Sequence, residues 1–98
     1  MVDTWLTSEL YEEAEVLATL ASLDRAATTV ELGYVLHPDL PRGERRSSRI
    51  RRVAARTCAK GLTESPSHGL HAITERGRIG LALILAKAPW MRAAFFDR

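Results

Sequence analysis

Between Arg42 and Lys60 the chain reads R-G-E-R-R-S-S-R-I-R-R-V-A-A-R-T-C-A-K, and its apolar residues recur at helical spacing. Ile50, Ala54, Thr57 and Gly61 follow one another at intervals of four, three and four, with Val53 and Cys58 flanking. That is one inward stripe of a helix with 3.6 residues per turn. Arg45, Arg49, Arg52 and Arg56 repeat at the same intervals on a second stripe, beside Ser48, Ala55 and Ala59. At 100° per residue the second stripe lies well away from the first, so one face is buried and the other offers four guanidiniums among small side chains.

The segment holds eight of the chain's fourteen Lys and Arg residues, with Glu44 as the opposing acid. A solvated helix face usually mixes signs, and a block this one-sided calls for a nearby polyanion or another reason to tolerate self-repulsion. A plain solvated basic helix is the competing reading. The net charge of +2 conceals a polarised molecule: residues 1–40 carry eight acids and one base, residues 41–64 eight bases and two acids.

Ninety-eight residues with 46% hydrophobic content allow one domain with a single modest core, helped by oligomerisation. The lone cysteine, Cys58, has no partner for an intramolecular disulfide and falls on the inner side of the expected helix, which fits a reducing cytosol. Asp3 and Glu9 interrupt any secretory signal, and the longest apolar run, Ile79 to Ala86, is far short of the roughly twenty residues of a membrane span. A soluble, cytoplasmic protein with no membrane contact is expected.

In chain order, Thr7 or Ser8 caps a first helix over residues 8–24, with Glu9, Glu12 and Glu13 in its opening turns and Leu10, Ala14, Leu17 and Ala21 as its apolar stripe. Thr28 and Glu31 have capping-box spacing and open a second helix over 28–36, with Val30, Tyr34 and Val35 expected to face the core. Pro38, Pro41 and Gly43 mark a loop before the basic helix, 44–60. Gly61 stops that helix, a hairpin over 62–73 turns at Ser65 to Gly69, and Thr74 caps a last helical segment, 74–96, that Pro89 kinks or ends. Fold class is therefore mainly α with a small β-hairpin, an α+β arrangement.

The order helix, short helix, basic helix, K-G-L-T-E, hairpin, I-T-E-R-G-R-I-G resembles the winged helix-turn-helix fold of small prokaryotic transcription regulators of the MarR-like and PadR-like groups. The sharp part of the likeness is confined to Lys60 to Glu64 and Ile73 to Arg78. It implies that 44–60 is a recognition helix, that Ser65 to Gly69 is a wing tip and that the terminal helix assists dimerisation. Two features depart from the pattern: a longer linker before the basic helix, and a short wing with no arginine at its tip.

Other chemistries find little support. His68, His71 and Cys58 lack the four matched ligands of a zinc site. Gly61, Gly69, Gly77 and Gly80 form no phosphate-binding fingerprint, and Ser47 and Ser48 have no histidine and acid arranged around them. No cofactor, metal or small-molecule ligand is expected, and an enzyme is the least supported class. The expected function is a dimeric double-stranded DNA-binding repressor. Ser48, Arg49 and Arg52 would lie nearest base edges and Arg42, Arg45, Arg56 and Lys60 would reach phosphates; Arg46 completes the expected DNA-binding set on the helix, with Ser67 and His68 at the wing. Leu81, Leu83, Ile84, Leu85, Trp90 and Phe95 would form the homodimer interface. The alternatives are a protein-contact module, a nonspecific architectural or partition protein and, disfavoured for want of interleaved aromatics, an RNA-binding domain.

Overall fold

A computed structural model describes residues 4–97; Asp3 lies outside them. Within that span the order is α1 (Ser8–Leu23), β1 (Ala27–Thr28), α2 (Thr29–Leu36), α3 (Glu44–Ala59), β2 (Thr63–Glu64), β3 (Leu70–Ile73), α4 (Glu75–Lys87) and α5 (Met91–Phe96). The protein is mainly helical, with a small antiparallel sheet in the order β1-β3-β2.

Local chemistry sets the helix starts. The Thr7 hydroxyl accepts the Leu10 N–H at 3.1 Å, and the Thr74 hydroxyl accepts the Gly77 N–H at 3.0 Å. At α2 the capping box is complete: the Thr28 hydroxyl accepts the Glu31 N–H, and the Glu31 carboxylate accepts the Thr28 N–H. The Arg25 guanidinium, 2.6 Å from Glu31, together with that backbone N–H holds the Glu31 carboxyl down to about 2. Asp24 ends α1 in the left-handed region, φ 51°, and its carboxylate accepts from Arg78 at 3.0 Å.

Helix α1 is buried on two sides. Ala14, Leu17 and Ala18 pack with Leu81, Leu85, Ala88, Met91 and Phe95 of the C-terminal segment. Val16 and Leu20 pack with Ala27, Leu32, Ile50 and Val53 from β1, α2 and α3. A fully buried Leu or Ile contributes about 1.5–3 kcal/mol, so these two clusters carry most of the stabilisation.

Three expectations change. First, the loop before α2 contains a strand: Ala27 and Thr28 pair with His71 and Leu70, so the hairpin is flanked by a third strand. Second, α2 buries Thr29, Leu32 and Gly33, while Val30, Tyr34 and Val35 are exposed. The capping box and β1 fix the rotation of this short helix, and they turn Leu32 rather than Val30 toward α1. Third, Leu81, Leu85 and Phe95 are buried in the chain's own core and are not available to a second copy. The helix breaks at Ala88 and Pro89, which folds α5 back over Tyr11, whose ring lies 5.2 Å from that of Phe95 and 6.4 Å from that of Trp90. Leu83 and Trp90 stay exposed, and Ile84 is half-buried.

The two sequence segments that carry the family likeness meet in space. The Leu62 N–H donates to the Thr57 carbonyl, the Thr74 N–H to the Leu62 carbonyl, and the Thr74 hydroxyl to the Gly61 carbonyl at 2.7 Å. Below them the Thr57 and Thr63 hydroxyls share a buried hydrogen bond of 2.8 Å. Gly77 makes this junction possible, because a Cβ there would stand 2.0 Å from the Leu62 carbonyl oxygen. Gly77→Ala should therefore lower stability by about 3 kcal/mol or more, since backbone rather than a movable side chain must yield. Chemical denaturation is the check, and a midpoint within error of wild type would contradict this packing.

Candidate nucleic-acid interface

Helix α3 buries Ile50, Val53, Ala54 and Thr57, which places its inner stripe close to where the spacing predicts it. Its cations divide into three groups according to what they touch.

Arg46 belongs to the structure and leaves the predicted DNA-binding set. It is 4% exposed, its guanidinium carbon lies 4.3 Å from the centre of the Tyr34 ring, and its Nη1 donates to the Leu40 carbonyl at 3.0 Å. Gly33 admits the stem, since a Cβ at that position would stand 3.1 Å from Arg46 Cγ. Cation–π attraction and stem packing thus tie α2, the linker and α3 together.

Arg56 and Lys60 turn toward α1. Lys60 Nζ is 2.6 Å and Arg56 Nε 3.7 Å from the Glu13 carboxylate, which is only 4% exposed, and an Arg56 terminal nitrogen reaches the Glu9 carbonyl. A carboxylate so buried requires paired cations. Glu13, one of the acids in the opening turns of α1, thus docks that helix onto the C-terminal half of α3. Arg51 is also engaged, paired to Glu44, whose carboxylate accepts from Ser48 as well.

Arg45, Arg49 and Arg52 form the third group. They are exposed, share one side of α3 and have no charged or hydrogen-bonded partner among the described residues, as is true of Arg42 in the preceding loop. Ala55 and Ala59, also exposed, keep the surface beside them low.

The tip of the β2–β3 hairpin lies beside the other edge of α3. Ser65 spends its hydroxyl inside the turn, on the Ser67 and Leu70 carbonyls, while Ser67 and His68 are exposed. Between helix and tip is a cleft of about 310 Å³ lined by Thr29, Arg51, Ala55, Cys58, His68 and His71 among others. Cys58 is exposed here, not inward-facing as the spacing suggests, because the buried stripe runs through Ala54 and Thr57 and leaves Cys58 at its margin. Among the described residues no group of three or more His, Cys, Asp or Glu side chains converges to hold a metal, and no helix is long and apolar enough to cross a membrane. His71 is half-buried, with Nε2 2.9 Å from the Thr29 hydroxyl, and burial lowers its pKa from the ordinary 6.5.

Comparison with protein-family models, with curated proteins and with solved structures returned no match.

The grouping of arginines makes a direct prediction. Arg46→Ala should cost about 2 kcal/mol of stability by emptying the site beside Tyr34, whereas Arg49→Ala should change stability by less than about 0.5 kcal/mol. Equal losses in thermal denaturation would refute the division. His71 supplies a pH dependence. The unfolded histidine takes up a proton near 6.5 and the folded one only at lower pH, so the unfolded state binds more protons in that window. Stability should hold above about pH 6.5 and decline below it, and His71→Gln should flatten that part of the curve.

Proposed function

We propose that this chain is a winged-helix module that binds double-stranded DNA as a homodimer and represses transcription by occupying its site. Helix α3 enters the major groove, with Arg49 and Arg52 nearest base edges and Arg42 and Arg45 on phosphates. Ser67 and His68 of the hairpin tip contact the flanking backbone. Ser48 reaches a base edge by exchanging its hydrogen bond to Glu44, and Arg56 and Lys60 contribute mainly by holding α3 against α1.

The observation that carries this reading is the unpaired set Arg45, Arg49 and Arg52. The chain has acids enough to neutralise a basic helix, and it does pair Arg51, Arg56 and Lys60. These three are left in water on one side of α3, where a phosphate backbone would replace the missing counter-charges. The order α1-β1-α2-α3-β2-β3 supports the winged-helix reading, because β1 ties the hairpin to the start of α2 and so fixes the tip beside α3. A cytoplasmic place of action follows from a DNA partner in a prokaryotic cell. Exposed Val30, Tyr34 and Val35 on α2 favour a second reading, in which the same fold serves as a protein-contact module.

Titration against random and candidate operator duplexes over a range of salt separates these readings. Specific DNA binding predicts a log–log salt slope on the order of −4 or steeper per dimer with tighter binding to one sequence. Arg52→Ala should then cost about 1–3 kcal/mol of affinity and relax the sequence preference. A steep slope without preference would indicate an architectural or partition role, and no binding would favour the protein-contact module.

A further inference from the structure

We propose that the outer ridge of α4 is the surface through which two copies of this chain associate, with their α4 helices antiparallel. Glu75, Ile79, Leu83 and Lys87 are spaced four apart, so they form one ridge along the helix, and all four are exposed. Ile79 and Leu83 are 56% and 64% exposed, although neighbouring Leu81 and Leu85 are buried. The ridge therefore reads acid, aliphatic, aliphatic, base from its N-terminal to its C-terminal end.

That pattern is complementary to itself in one direction only. A two-fold axis through the point midway between Ile79 and Leu83 sets Ile79 against Leu83 of the second copy and Glu75 against its Lys87, twice over. A parallel pairing would oppose like charges at both ends. The charged ends are about 18 Å apart along the helix, and a crossing angle of about 50°, that of two rows with four-residue spacing packed together, brings both pairs within reach. Charge order thus selects the antiparallel pairing, and the two aliphatic residues supply its apolar centre.

The surroundings suit close approach. Ala82 and Ala86 lie beside the ridge and are exposed, so the surface next to it is low. Lys87 Nζ stands 4.9 Å from the centre of the Trp5 ring, which orients the ammonium without neutralising it. This surface specifies the homodimer proposed above and does not depend on DNA binding.

Sedimentation equilibrium at low salt, without DNA, tests the pairing on the full chain, with circular dichroism to confirm that each variant folds. Wild type should run near twice the 10.9 kDa chain mass. Glu75→Lys and Lys87→Glu should each raise the dimer dissociation constant on the order of tenfold or more, because every dimer contains the reversed pair twice. The double variant E75K/K87E should regain the dimer with its charges exchanged, and an equimolar mixture of the two single variants should form a heterodimer. Leu83→Asp should leave folded monomer. A wild-type chain that stays monomeric would overturn the dimer. A dimer indifferent to both reversals and to Leu83→Asp would overturn this face, and impaired single variants with no rescue in the double would overturn the antiparallel pairing. Because no DNA is present, failure of the DNA-binding reading leaves each of these outcomes interpretable.

Discussion

One helix has to be satisfied on two sides. Helix α1 gives Ala14, Leu17 and Ala18 to the C-terminal cluster and Val16 and Leu20 to the cluster under α2 and α3. Neither cluster is large, and each is completed by the same rod, so the basic helix and the C-terminal helices keep a fixed relation although they share few direct contacts. Glu13 adds a charged anchor on this helix: it sits between the apolar rows and takes Arg56 and Lys60 from α3. Burial of a carboxylate contributes little net stability but is intolerant of misplacement, which makes it a registration device.

The arginine-rich segment is accordingly three things at once. Arg46 is a packing residue with a charged end, Arg56 and Lys60 are counter-ions for a buried acid, and Arg45, Arg49 and Arg52 are unpaired surface cations. A count of basic residues treats them alike. Their contacts separate them, and the third group, together with Arg42, is left with the hydration and reach to meet a polyanion.

Much of this was legible from residues close in sequence. Capping at Thr7, Thr28 and Thr74, the hairpin around Ser65 to Gly69 and the break at Pro89 all depend on neighbours within a few positions. The failures have the opposite character. Arg46 is buried because Gly33 and Tyr34, in another helix, make room for its stem and cover its guanidinium. Strand β1 is two residues long and has no periodicity of its own; it exists because β3 supplies a partner. The rotation of an eight-residue α2 was ambiguous because apolar side chains occupy most of its circumference. Phe95 and Leu81 carried a correct hydrophobic signal whose partner was the chain's own α1.

The sheet bears on how such a molecule avoids unwanted company. Its one strand of ordinary length, β3, is flanked by β1 and by β2, and each flanking strand is two residues long. A growing cross-β stack needs an outer strand long enough to template several successive backbone hydrogen bonds. Edges this short template almost none. Self-association of the native fold is thereby left to side chains and not to main-chain hydrogen bonding, a form of contact that charge and shape can make specific and reversible.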